Sequence, residues 1–314
     1  MTSIQINREK ITVAISMVTY NHELYISQAI EGVLSQKTNF NYKLIISDDK
    51  STDKTSIICK EYSKKYPEKI FFTENKKNIG ATNNWIKNLK ICKKTNAKFI
   101  AICEGDDYWI HEKKLQLQVN LLNKNLSYGM VHTNYDRLYN ISGIKIKKFH
   151  NILHNNYHKI QFEDLLLNNR ITTATVLFRS HFLNDIFKFH KIYWSKISDI
   201  VLWLSISSKS RIAYINKSTS VYRLLEKSAS NNKNFNKAIL FLRNSYKISL
   251  IFIKNLGLRS KKQKLKKEYC KKYIKKAIDY NEFSELYKFM MYPLTIIKYF
   301  IILKIAHKLT GIKK

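Results

Sequence analysis

The chain has 314 residues, 45% hydrophobic and 13% aromatic, with only 7 Gly and 2 Pro. That suffices for one large α/β domain with a helical appendage and argues against disorder or a loop-rich all-β fold. Lys+Arg number 56 against 23 Asp+Glu, and the excess climbs from +5 over residues 1–110, through +11 over 111–230, to +17 over 231–314. Such a block suits an anionic membrane surface better than nucleic acid.

The predicted elements alternate. Ile11 to Val18 reads as a strand, and about Glu23 to Ser35 as a helix. Tyr42 to Ile46 is the next strand. Ser51 and Thr52 are placed to cap a helix running to about Lys65, with Asp53 in its first turn. Lys69 to Thr73 is a third strand and Gly80 to Lys93 a third helix. A strand then ends at Glu104, and a helix covers about Glu112 to Leu122. This βαβα order predicts a mostly parallel sheet with right-handed crossovers. Tyr128 to Thr133 and Ile171 to Phe178 are expected strands, Asp199 to Ser208 a helix, and Arg211 to Ile215 and Thr219 to Leu224 two further strands. From about Asn234 the pattern is helical and Lys-rich, with nine Lys between Lys261 and Lys276.

The segment Phe-Ile-Ala-Ile-Cys-Glu-Gly-Asp-Asp-Tyr-Trp at 99–109 carries the most chemistry. Its apolar run reads as a buried parallel strand, so Glu104, Asp106 and Asp107 fall at the carboxyl end, where open α/β sheets bind ligands. Clustered carboxylates repel one another, and oxygen-rich groups at such a place suit a hard divalent cation shared with phosphates. Two other strand ends carry polar groups, Thr19-Tyr20-Asn21 and Asp48-Asp49. Tyr20 can stack on a base, and Asp49 can accept hydrogen bonds from a base N–H or ribose hydroxyls. Together these ends outline a nucleoside-diphosphate site.

On these residues the chain resembles the family 2 glycosyltransferases of the GT-A fold, which use nucleotide-activated sugars and invert the anomeric centre. The carrying segments are 13–21 (Val-Ala-Ile-Ser-Met-Val-Thr-Tyr-Asn), 45–55 (Ile-Ile-Ser-Asp-Asp-Lys-Ser-Thr-Asp-Lys-Thr), Asn-Ile-Gly at 78–80 and Glu-Gly-Asp-Asp-Tyr-Trp at 104–109. Their order and spacing match over about the first 130 residues, and more weakly through 198–204 and 221–230. The resemblance implies a Rossmann-like, mostly parallel sheet with flanking helices over 1–232, a nucleotide-sugar half at about 1–130 and an acceptor half at about 131–232. A basic helical region follows at 233–314.

By the same resemblance Thr19, Tyr20, Asp49, Asn84, Glu104 and Asp107 would bind the nucleotide sugar, a UDP-sugar first among candidates. The family's Asp-x-Asp motif falls on Glu104 and Asp106, which would bind Mg²⁺ or Mn²⁺, Asp106 the more direct ligand. The first position is Glu here, long enough to reach ribose or a metal-bound water. Lys50 stands where many relatives have Gly. Asp199 opens an apolar helix at the position of the family's general base, although from sequence alone helix capping is the simpler reading. The implied acceptor is a hydroxyl of a glycan or lipid-linked molecule in surface-polysaccharide or lipopolysaccharide synthesis.

Other features are weighed against this. Cys59, Cys92, Cys103 and Cys270 show no paired spacing, which favours a reducing compartment, and the first residues lack a signal peptide's apolar core. The expectation is a cytoplasmic protein whose apolar C-terminal stretch either brings it peripherally to the inner face of the cytoplasmic membrane or packs against the globular domain. The apolar stretch Tyr292 to Ile312 is interrupted by Lys298, Lys304 and Lys308 and makes a poor spanning helix. His150, His154 and His158 share a helical spacing without a carboxylate partner and read as an exposed, unliganded set. A retaining transferase on the same fold is one rival. A nucleotidyltransferase would need a Gly-rich, Lys-containing loop after the first strand, absent from Thr19 to Leu24. A non-catalytic binder of anionic lipid or nucleic acid leaves the acidic triplet unexplained.

Overall fold

The computed structural model describes residues 10–140, 142–149, 160–193, 199–225, 234–280 and 282. The chain divides into two compact units, Met1–Leu165 with Asn169–Leu225, and Leu166–Asn168 with Glu226–Lys314. The expected histidine set at 150–158 and the apolar stretch at 292–312 lie outside the described residues.

The first unit is built on a nine-stranded sheet: β1 (Ile11–Thr19), β2 (Asn41–Asp48), β3 (Ile70–Glu74), β4 (Phe99–Ile102), β5 (Tyr108–Trp109), β6 (Tyr128–Tyr139), β7 (Lys145–Ile146), β8 (Leu177–Arg179) and β9 (Arg211–Leu224). The order is β3-β2-β1-β4-β8-β6-β9-β5, with β7 on β6. The four leading strands are mutually parallel, β8 runs antiparallel between β4 and β6, and β6 and β9 are again parallel. All four residues of β4 are buried, as a strand covered on both faces requires.

Helices pack where the apolar period dictates. In α1 (Ile26–Leu34) Ile26, Ala29, Ile30 and Val33 are buried, an i, i+3, i+4, i+7 stripe. Gly32 lets this helix touch β5, since a Cβ there would lie 2.7 Å from the Trp109 carbonyl oxygen. Next come α2 (Thr55–Lys65), α3 (Ala81–Lys94) and α4 (Lys114–Lys124), followed by α5 (Phe162–Leu167), α6 (Leu183–Tyr193) and α7 (Asp199–Ser207).

Three expectations change. Ser51 and Thr52 do not cap α2, whose N-cap is Lys54; instead Ser51 donates to Asp48, and Asp53 Oδ1 accepts the Thr55 amide at 2.9 Å. The segment 171–178 is a strand only from Leu177. Before it, the Thr172 carbonyl draws in the Thr175 amide at 3.0 Å and hydroxyl at 2.6 Å, a local turn that outcompetes the ladder. The two strands expected at 211–224 are one, kinked where the register jumps from Thr133–Ile215 to Asn134–Ser218.

The second unit contains a helical pair, α8 (Phe235–Asn255) and α9 (Lys261–Asp279). The Asn234 side chain caps α8 by accepting the Lys237 amide at 3.1 Å, and Gly257 at φ +68° closes its far end. Phe235, Ile239, Leu242, Tyr273 and Ala277 form the shared core, flanked by stacked Tyr246 and Tyr269. Lys262, Lys264, Lys267 and Lys275 stay exposed. No helix among the described residues is long and apolar enough to cross a membrane.

Candidate functional site

Parallel register brings the predicted strand ends together. Thr19 pairs with Asp48 across β1 and β2, the Asp49 amide donates to the Thr19 carbonyl at 3.0 Å, and the Gly105 amide donates to Val18 at 3.0 Å. The rim therefore reads Asp49, Thr19, Glu104 across three neighbouring strands, about 10 Å from first to last. Tyr20 projects beyond it, 42% exposed. Thr19 is buried against Gly105, where a Cβ would sit 2.7 Å from the Thr19 hydroxyl and 2.9 Å from His22 Nδ1. Only glycine allows the acidic turn to lie this close to β1.

The loops after β1 and β2 are zipped together. Asn21 Oδ1 accepts the Thr52 amide at 2.8 Å, Ser51 Oγ accepts the Asn21 amide at 2.9 Å, and Thr55 Oγ1 accepts the His22 amide at 2.8 Å. Glu23 and Asp53 each accept an amide from the opposite loop. Lys50, at φ +63°, takes the left-handed conformation that glycine adopts freely.

Asp49 is buried and committed. Its Oδ1 accepts Asn75 Nδ2 at 2.7 Å and the Ile79 amide at 2.9 Å, and Oδ2 accepts the Gly80 amide at 2.8 Å. Asn84 joins the same network, accepting from Asn75 at 3.0 Å and donating to the Ser47 carbonyl at 2.9 Å. These two residues thus fix the loop 75–80 beside the rim.

At the other end the acids diverge in role. Asp107 is 2% exposed, and its Oδ1 accepts the Arg223 amide at 2.8 Å. Burial, then Asp106 and Glu104, push its carboxyl well up. Glu104 is half-buried, and its Oε2 accepts the Thr173 hydroxyl at 2.7 Å. Burial raises its carboxyl to about 7, the Thr173 hydrogen bond opposes that, and the charges of Asp106 and Asp199 add to it. Among the described residues nothing bonds to the Asp106 carboxylate, which makes it the uncommitted acid of the three. Asp199 opens α7, with Oδ2 accepting Asn169 Nδ2 at 2.9 Å and Oδ1 the Ile200 amide at 2.9 Å. Burial raises its carboxyl against those two hydrogen bonds. Asn169, bonded to Asp199, and Thr173, bonded to Glu104, lie four positions apart, which draws the two acids toward one locality although 95 positions separate them.

Beneath them lies a polar clamp that sequence reasoning missed. Trp109 Nε1 donates to the Ala174 carbonyl at 3.0 Å, while Gln118 Nε2 and Lys114 Nζ donate to that of Thr175 at 2.8 and 3.2 Å. These bonds hold the turn that presents Thr173 to Glu104. Thr173 and Asn169 carry no sequence signal beyond polarity in an apolar neighbourhood, whereas Arg223 falls in the weakly matching segment 221–230, which gives no sign of its contact with the acidic turn. Among the described residues no three His, Cys, Asp or Glu side chains converge as a self-sufficient metal site. One free carboxylate with a second beside it instead fits the pattern in which a cation takes one or two protein ligands and completes its shell with phosphate oxygens.

The sequence model of the family described as "Glycosyl transferase family 2" matches residues 14–187, more than half of the chain. The chain belongs to this family. It is 33% identical over 223 residues to the Escherichia coli UDP-Glc:alpha-D-GlcNAc-diphosphoundecaprenol beta-1,3-glucosyltransferase WfgD, covering 70% of this chain and 80% of that one. It spans 31% of the length of an uncharacterized Mycobacterium tuberculosis protein, 38% identical over 111 residues and 35% of this chain. Among solved structures, residues 1–349 of S. aureus TarS in complex with UDP superpose with TM-score 0.57 at 15% identity, covering 88% of this chain and 74% of that one. The mannosyltransferase PcManGT of Pyrobaculum calidifontis, in complex with GDP-Man and Mn²⁺, gives 0.51 at 14% identity, covering 80% and 76%. The fold is that of the GT-A glycosyltransferases.

Proposed function

We propose that the protein transfers a sugar from a nucleoside-diphosphate sugar, with uridine the base, to a hydroxyl of a glycan or lipid-linked acceptor in surface-polysaccharide synthesis, inverting the anomeric centre. One observation supports the reading: at the end of β4 an uncommitted Asp106 carboxylate stands two positions from a Glu104 held by Thr173, and Asn169, four positions before Thr173, holds Asp199. Tyr20 offers an exposed face for the base, and the loop anchored by Asp49 and Asn84 borders it. From that end to the acids the rim spans about 10 Å, the reach of a nucleoside to its phosphates.

Asp106 and Glu104 would hold Mg²⁺ or Mn²⁺, whose charge, when bound, stabilises the departing diphosphate. Asp199 accepts the proton of the acceptor hydroxyl as its oxygen forms a bond to the anomeric carbon. The carbon–oxygen bond to phosphate breaks, and its electron pair leaves with the nucleoside diphosphate. A carboxyl raised by burial is a stronger base than an exposed one, which suits Asp199 to this step. The E. coli relative's name specifies a diphosphoundecaprenol acceptor, and the Lys-rich face of α9 is suited to an anionic membrane on which such lipids lie. On this reading residues 1–232 form the transferase, nucleotide-sugar half first, and 233–314 a membrane-facing region.

A thermal-shift panel of UDP, GDP, CDP and dTDP, each with Mn²⁺ or EDTA, tests it. UDP at a hundred times its dissociation constant would add about 2.7 kcal/mol of stability. That shift should need Mn²⁺ and disappear in Asp106→Ala. Stabilisation by none of the four would overturn the reading.

A further inference from the structure

Arg223 has no part in the transfer chemistry above, yet its side chain is engaged on every side. It lies near the end of β9, 7% exposed. Its backbone amide donates to Asp107 Oδ1 at 2.8 Å, and its Nε donates to the main-chain carbonyl of Asp106 at 2.8 Å. Nη2 donates to Gln28 Oε1 of α1 at 2.6 Å. The guanidinium lies over two rings, 4.8 Å from the centroid of Tyr25 and 5.0 Å from that of Tyr108. One side chain thus ties together α1, β9, β5 and the turn that carries the acids.

The chemistry of that turn explains the need for a tie. Three carboxylates within four positions repel, and a turn free to relax would splay them apart. The turn's own amides give limited restraint: Gly105 donates to Val18 at 3.0 Å and Asp107 to Glu104 at 3.1 Å. Arg223 adds a cation beside buried Asp107 and fixes the peptide oxygen of Asp106 without touching the Asp106 carboxylate. The outcome is selective, with the backbone held and the side chain left open.

We propose that Arg223 is the positioning residue of the acidic turn, fixing Asp106 so that its carboxylate is presented to the donor's phosphates and cation. The inference rests on the functional reading above. Lysine cannot replace it, because an ammonium lacks the planar fork that reaches the Asp106 carbonyl and Gln28 together while stacked on rings.

The test compares wild type with Arg223→Gln, Arg223→Lys and Gln28→Ala. Hydrogen exchange of the metal-free proteins is read over peptides covering 103–109, with β1 and β2 as internal reference. Both Arg223 variants should exchange at Gly105 and Asp107 at least tenfold faster, with the reference strands unchanged. In transfer assays the Mn²⁺ concentration for half-maximal rate should rise at least tenfold in both, while KM for the acceptor stays within twofold. Gln28→Ala keeps the arginine and should shift both readouts in the same direction by a smaller factor, so the question survives poor folding of the Arg223 variants. Wild-type exchange over 103–109 in a folded variant overturns the proposal whatever the substrate proves to be. Loosened exchange with an unchanged Mn²⁺ requirement overturns it too, reducing Arg223 to a structural residue. A wild type with no metal-dependent nucleotide response instead fails the functional reading on which it rests.

Discussion

Lys114 offers a quantitative check on the polar layer beneath the site. It is 0% exposed, donates to Gln118 Oε1 at 2.6 Å and Thr175 O at 3.2 Å, and stands 4.7 Å from the Trp109 ring centroid. Burial lowers its ammonium from 10.5 to about 7. In the unfolded chain the lysine stays protonated up to about pH 10. Between 7 and 10 the folded protein therefore binds fewer protons than the unfolded, and stability must rise with pH there. Integrated from pH 7 to 9, allowing for half-titration at the lower limit, the gain is about 2 kcal/mol. Lys114→Met removes the titration and leaves the Thr175 carbonyl still bonded to Gln118 at 2.8 Å. Urea unfolding of both proteins at pH 7, 8 and 9 isolates the effect, because other titrating groups cancel in the difference. Wild type should gain about 2 kcal/mol on the variant over that range. A difference that stays flat would mean the ammonium is charged and hydrated at pH 9, and that the layer is not the dry network described.

Thr173→Val deletes the hydroxyl that favours the Glu104 carboxylate, at a cost of about 1.5–3 kcal/mol to the ionised form. Glu104 should then protonate at higher pH than the wild type's value of about 7, so Mn²⁺-dependent nucleotide binding should fail about 1–2 pH units earlier on acidification, seen by calorimetry across pH 6 to 8.5. Asp199→Asn should bind donor nucleotide like wild type and lose about 10²–10⁴ in kcat, the usual share of a general base. Unimpaired turnover would remove Asp199 from catalysis. Gly105→Ala forces a methyl to 2.7 Å from the Thr19 hydroxyl and should cost about 1–3 kcal/mol while weakening nucleotide binding. Lys50→Gly relieves a left-handed backbone worth about 1 kcal/mol and gives up a half-exposed pair with Glu74, which keeps Lys60 at 3.0 Å. Its melting temperature should rise by about 2 °C, and a fall would refute the strain argument.

Local signals explain what was legible beforehand. The apolar runs of β1, β2 and β4 end in polar residues, and a parallel register necessarily lines up those ends. Asp49, Glu104 and Asp106 could therefore be singled out from order alone. What could not be read depends on contacts far apart in the chain. Thr173 meets Glu104 across 69 positions and Arg223 meets Asp106 across 117, and neither has a periodicity to announce it. The two residues of β5 are too few to carry an alternation, though their pairing with Val221 and Ser220 frames the acidic turn. The turn at Thr173–Thr175 was masked by β-branched residues that favour strands by composition and left the ladder through their own hydroxyls.

The seam between β5 and β9 also sets a timetable. Strands β1 to β4 are complete within the first 102 residues and can pair while the rest of the chain is being made. The acidic turn follows at once, but its partner at position 223 is synthesised 116 residues after Asp107. At roughly 5–20 residues per second that is a delay of about 6–23 s. Until then the acidic turn lacks the Arg223 cation, and β6, once residues 128–139 are made, presents an edge that β9 has yet to cover. A chain that stops short of β9 would leave that edge of β6 unpaired and the acidic turn without its contacts to β9. The contacts that close the acidic turn are thus among the last in the first unit to become available to the growing chain.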